Sequence, residues 1–235
     1  FRKWLKDFGL SHLLPGKPAH PNLGYQQTVH LPGYKFPVQI IGLDSSWLCG
    51  DDSDAGKLRL TEDQVMRLCT DPKGVSLSGF RIGLVHHPLT DLADGSASRR
   101  LLAENIDLLL RGHLHEPEPE LWTDSEKSLH QIAAGCLYEG HHADRYPNSC
   151  IVIRSTCNEA GQPLFHELRF RGYSSRGGFW FDDGSLYRSA PNGRLKIAAM
   201  AHASANPRQI ALPSPELLLT PGENKGKAKD RSSRI

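Results

Sequence analysis

Phe80-Arg81-Ile82-Gly83-Leu84-Val85-His86-His87-Pro88 is the stretch on which the fold turns. An apolar run of strand length ends in two histidines and a proline, so a buried strand feeds a loop there. The same pattern recurs in Ile106-Asp107-Leu108-Leu109-Leu110-Arg111-Gly112-His113-Leu114-His115. In an extended segment, residues i and i+2 face the same way, so His113 and His115 present two imidazoles to one site. His86, at the end of a neighbouring strand, supplies a third. Imidazole is the commonest protein ligand for transition metals, and three converging histidines predict a metal centre.

Working outward, Val38–Leu43 is apolar and β-branched and runs into Asp44-Ser45-Ser46, small polar residues suited to a turn. Thr61-Glu62-Asp63-Gln64 has the form of a capping box, with Leu60 and Val65 placed for a hydrophobic staple, which predicts a helix of about three turns. Ser96–Glu104 reads as a second helix and Ile106–Leu110 as the next strand. Strand and helix thus alternate, as in an α/β layered sheet. From Leu129 the rhythm changes to strands without helices: His130–Ala134, Cys150–Arg154 and Leu164–Phe170. These predict a second, mainly antiparallel sheet packed on the first. Phe179–Phe181 and Gly184–Tyr187, joined through Asp182-Asp183, read as a closing hairpin. After about residue 195 the pattern dissolves into a segment rich in Pro, Lys, Ser and Gly, with a weak helix at most over Ala198–Ala205. The expected division is therefore a domain over 1–190 and a linker or tail over 191–235.

The bulk properties narrow the class. The 235 residues carry a net charge of only +2, with 38% apolar residues, so membrane and nucleic-acid partners are not indicated by charge. No apolar run approaches bilayer length. Five scattered cysteines without a C-x-x-C pair predict reduced thiols and a cytoplasmic setting. The chain begins at Phe1 rather than Met, and Phe1–Gly9 reads as the inside of a helix already under way.

Taken in order, Gly42-Leu43-Asp44-Ser45-Ser46, His86-His87-Pro88 and Gly112-His113-Leu114-His115 resemble the later motif blocks of the calcineurin-like metallophosphoesterase superfamily. Ala134-Gly135-Cys136, Tyr146-Pro147-Asn148-Ser149 and the aromatic close around Trp180 with Asp182 extend the resemblance, which leans towards bacterial cytoplasmic phosphodiesterases. It implies an α/β fold of two mixed β-sheets packed as a sandwich with flanking helices. It also implies two divalent ions (Mn, Fe or Zn), with His86 and His113 on one and His115 on the other. The implied reaction is hydrolysis of a phosphomonoester or phosphodiester by a metal-bridging hydroxide. The family's Asp-x-His, Gly-Asp and Gly-Asn-His blocks bring the bridging carboxylate and the proton-donating His, and none has a match in residues 1–36. This reads as an N-terminally incomplete domain, prone to aggregate alone, whose general-acid His lies upstream of Phe1.

Several neighbours have plainer readings. In an extended chain His87 points away from His86, which makes it either a residue that supports a metal ligand from behind or a loop-shaping neighbour, with Pro88 fixing the bend. Asp44 reads as an Asx-turn or cap residue, with contact to a metal ligand as the other option. His141-His142 and Glu116, Glu118 and Glu120 read as solvated loops, Trp47 and Trp180 as packing residues. Lys225, Lys227, Lys229, Arg231 and Arg234 read as a solvated linker, with a further domain beyond it. No G-x-S-x-G elbow and no P-loop is present. Two alternatives stand beside the phosphoesterase reading: a catalytically silent regulatory or interaction module, and a mononuclear zinc hydrolase on His86, His113 and His115.

Overall fold

Leu108, Leu109 and Leu110 fall on alternate faces of a strand, so both faces need covering. The computed structural model, which describes residues 2–9, 23–51, 53–123, 127–137 and 147–199, shows how each is covered. After a short helix α1 (Arg2–Asp7) come β1 (Tyr25–Val29), β2 (Val38–Gly42), α2 (Glu62–Cys69), β3 (Phe80–Val85) and α3 (Gly95–Asn105). Next follow β4 (Leu108–Arg111), β5 (Glu118–Thr123) and β6 (Ser128–Ala133). β7 (Ser149–Cys157), β8 (Pro163–Ser174), β9 (Phe179–Asp182) and β10 (Arg194–Ala198) complete the described elements. One sheet has the order β1-β2-β3-β4-β6-β5, parallel from β2 through β6 and antiparallel at both edges. The other is antiparallel, β10-β8-β7, with β9 also paired to β8.

Leu109 joins Ile41, Val65, Leu68, Leu102 and Leu129 in a core shared with α2 and α3. Leu108 and Leu110 join Phe80, Ile132, Leu168 and Phe170 in a second core between the two sheets. The layers are thus helices, mixed sheet, antiparallel sheet. A buried ion pair ties the amino ends of β3 and β4 together: Arg81 Nη2 donates to Asp107 Oδ1 at 2.6 Å and Nε to Oδ2 at 3.0 Å. This leaves the carboxyl ends of the same strands for a site, the edge that open α/β sheets use.

Several expectations need correction. The second sheet is antiparallel rather than mixed, and both helices named in the core lie against the six-stranded sheet. α2 has eight residues, about two turns, and its capping box is only half formed. Thr61 Oγ1 accepts from the Gln64 N–H at 3.3 Å, but the Thr61 N–H is taken by Asp94. Gln64 instead ties Asp44 to the helix start, accepting from the Asp44 N–H and donating to the Asp44 and Leu60 carbonyls. Glu118 and Glu120 lie on edge strand β5, not in a loop, and Pro119 is tolerated at such an edge. Gly184–Tyr187 forms no strand; β9 pairs with β8 instead. β10 pairs with β8 beyond residue 190, so the sheet runs past the expected domain boundary. β1 was not anticipated from sequence. Its Tyr25 ring lies over Gly42, where a Cβ would meet ring carbons at 2.1 Å.

The five cysteines are free. Burial pushes the Cys69 thiol up to about 12 and the Cys157 thiol up to about 11. No helix among the described residues is long and apolar enough to cross a membrane. His141, His142 and the tail lysines lie outside the described residues.

Candidate metal centre

β3 and β4 are parallel neighbours in register, Val85 opposite Arg111, so the residues after each leave from the same sheet edge. The Gly112 N–H donates to the carbonyls of Val85 and His86 at 3.3 and 3.2 Å, pinning one loop on the other. The His86 ring lies beside Gly112, where an added Cβ would stand in ordinary contact with His86 Nδ1 at 3.5 Å.

Three imidazoles converge there. His86, His87 and His113 each bring one ring nitrogen within 4.8 Å of the other two. His86 Nε2 and His113 Nδ1 lie 3.3 Å apart. The rings meet edge-on or tilted, with centroids 4.7 Å (His86–His87), 5.1 Å (His86–His113) and 4.7 Å (His87–His113) apart. His86 and His113 are exposed and His87 is buried, so the group opens to solvent on one side.

His87 is the main departure from the sequence reading. It turns into the site instead of away, because the chain stops being a strand at Val85 and the alternation ends with it. Its ring is fixed by Ser45, which is 1% exposed: Ser45 Oγ lies 2.9 Å from His87 Nδ1 and accepts the His87 N–H at 3.2 Å. Hydrogen bonding at Nδ1 leaves Nε2 as the nitrogen able to face a ligand. Ser45 went unassigned in the sequence, although it sits inside the Gly42–Ser46 motif.

The GHLH segment is not extended either. His113 and His115 both have positive φ, 76° and 60°, in the left-handed region that non-glycine residues seldom adopt. Backbone held there costs of order 1–3 kcal/mol and concentrates at functional sites. His113 reaches the cluster, while His115 stands outside the group of three. It still acts on the site: its charge, with that of His113, adds to burial in holding the His86 pKa below the usual histidine range. His87 is lowered by burial first, then by His86 and His113, while Asp91 and Asp44 pull the other way. Both rings therefore favour the neutral, metal-binding form.

Asp44 lies at the end of β2, within electrostatic reach of His87. Its Oδ1 accepts from the Ser46 N–H at 2.9 Å, forming an Asx-turn. Arg111, the last residue of β4, is a buried cation missed in the sequence; its Nη2 donates to Glu118 at 2.9 Å. An arginine closing an apolar strand is the signal that could have marked it.

The chemistry of this donor set fits a borderline transition metal better than Ca or Mg, which want oxygen ligands. Four ligands set tetrahedrally about zinc at about 2.0–2.1 Å stand about 3.3–3.4 Å apart, and the His86–His113 separation of 3.3 Å is of that size. No protein-family model matches the chain, and no curated protein matches it.

Proposed function

We propose that the chain carries the histidine side of a divalent-metal site in a calcineurin-like phosphoesterase, acting by metal-dependent hydrolysis of a phosphate ester. One observation carries this reading: His86, His87 and His113 converge beyond the carboxyl ends of adjacent parallel strands. The order of the GLDSS, HHP and GHLH motifs and the α/β two-sheet architecture agree with it. A bound divalent ion supplies charge to offset phosphoryl oxygens and makes water acidic enough to act as nucleophile near neutral pH. His86 and His113 hold it through the facing nitrogens, and Ser45 orients the His87 ring. His115 is the residue placed to serve a second ion in this family. The protein, stripped of metal and reloaded with Mn, Fe or Zn, is expected to hydrolyse bis(p-nitrophenyl) phosphate, with turnover lost in His113→Ala. A folded sample that neither binds metal nor shows turnover overturns the reading.

A one-ion zinc site is the second reading, favoured by the 3.3 Å nitrogen spacing and by a convergent group made of imidazoles alone. Neutral ligands offset one dication more readily than two, since oxygen-bridged pairs draw on carboxylates. Metal stoichiometry separates them: two ions per chain for the first reading, one for the second.

A further inference from the structure

The antiparallel sheet buries one face and leaves the other to solvent. Leu168 and Phe170 of β8, Ile151 and Ile153 of β7, and Leu195 and Ile197 of β10 point into the core between the sheets. Alternation therefore places their sequence neighbours outward. The register aligns these neighbours in rows across the strands. Arg154, Glu167 and Lys196 form one row; Val152, Arg169 and Arg194 form the next. Arg171 then pairs with Asp182, and Tyr173 with Trp180. The first two rows line a concavity of about 440 Å³.

Charge is concentrated on this face. Five cations (Arg154, Arg169, Arg171, Arg194 and Lys196) accompany two carboxylates (Glu167 and Asp182), an excess of three on one sheet face of a chain whose total is +2. Asp182 is shared by three arginines: Arg169 at 3.1 Å, Arg194 at 2.9 Å, and Arg171. One carboxylate cannot neutralise three guanidiniums, but it holds them in place, and the side chains of Arg169 and Arg194 remain 48% and 61% exposed. Aromatic rings lie alongside. The Lys196 ammonium sits 3.6 Å from the Phe165 ring centroid. Tyr173 and Trp180 pack at 5.3 Å, each 38% exposed.

We propose that this outer face binds single-stranded nucleic acid, its phosphates on the arginine–lysine rows and its bases against Tyr173 and Trp180. Successive rows along β8 stand about 6.8 Å apart, close to the spacing of phosphates in an extended strand. Aromatic surface beside a cationic track is how single strands are held without sequence preference. A duplex keeps its bases stacked away from such rings, and an acidic peptide uses the arginines but not the aromatic pair. The inference stands apart from the proposed hydrolysis, since it requires no metal and involves none of the histidines above.

The test is fluorescence anisotropy of a short labelled oligo(dT) with the full chain, at about 50 mM and about 200 mM salt. Binding is expected at the lower salt and should weaken steeply at the higher. Arg154 and Lys196 are exposed and outside the Asp182 network, so Arg154→Gln with Lys196→Gln should fold as the parent does, checked by thermal melting. That double variant is expected to weaken binding about tenfold or more, and Trp180→Ala about tenfold. The proposal is overturned by no binding at low salt or by unchanged affinity in the folded double variant. Equal affinity for a duplex of the same length overturns it too, as does equal displacement by polyglutamate. So does loss of binding on changing Lys225, Lys227 and Lys229 to Gln with no loss on changing the sheet face.

Discussion

Two groups of histidines sit on the same fold and differ in what surrounds them. His86, His87 and His113 meet beyond the strand ends, where two rings reach solvent and nitrogens face one another. His130 of β6 and His166 of β8 meet between the sheets, ring centroids 5.5 Å apart, and are 4% and 0% exposed. Burial lowers the pKa of His86 and His87 in the first group and of His166 in the second, most strongly at His166, which falls to about 4. A depressed histidine pKa is therefore no mark of function by itself. The first group has an open side and strained backbone to hold it there, whereas the second has a sealed apolar layer and Ser155 Oγ 2.8 Å from His166 Nδ1. The first has the geometry of a group that could hold a ligand, and the second fills a core.

The largest effect that sharpens this contrast is on stability. His166 faces His130 from the other sheet and lies within electrostatic reach of Asp107, which counters the depression only in part. Folded at about 4 against an unfolded value near 6.5, His166 takes up its proton more readily in the unfolded chain. Stability is then full above pH 6.5 and is lost as pH falls towards 4, by about 3 kcal/mol in all. Urea denaturation across that pH range measures the slope, and His166→Leu should flatten it. A slope unchanged in the variant assigns the loss to other groups.

A smaller effect tests the open group. Ser45→Ala removes the hydroxyl that fixes His87, and loss of such an orienting partner costs on the order of tenfold in metal affinity. Competition with a chromophoric chelator reads this directly. Affinity equal to the parent would mean that His87 is no ligand, leaving His86 and His113 with His115. The smallest effect is expected at Asp44. Asn accepts the Ser46 N–H as Asp does, so Asp44→Asn should shift stability by less than about 0.5 kcal/mol and leave zinc affinity alone. A clear drop in affinity makes Asp44 a participant in the metal site.

How far these features were legible follows from what each residue has to do. β3 and β4 were readable because strands buried on both faces must be apolar throughout. β1 (Tyr25-Gln26-Gln27-Thr28-Val29) and β5, with Glu118 and Pro119, are edge strands whose polar residues face water, so composition hides them. β10 alternates cleanly, Arg194-Leu195-Lys196-Ile197, but it is short and borders a polar tail. The histidine motifs lie at the ends of β3 and β4, where the structure brings His86, His87 and His113 together. Which rings converge was not legible, because the alternation rule used for His87 and His115 holds only while the chain is a strand. The basic sheet face escaped for another reason: a net charge of +2 averages over the molecule and conceals a local excess.

The measurement that bears most directly on the account is a calorimetric zinc titration of the metal-stripped chain, with His86→Ala and His113→Ala titrated alongside. The convergence of His86, His87 and His113 predicts a tight site per chain, with affinity lost in each variant by about a hundredfold or more while the fold is kept. Absence of zinc binding by the folded parent, or equal affinity in His113→Ala, would contradict it.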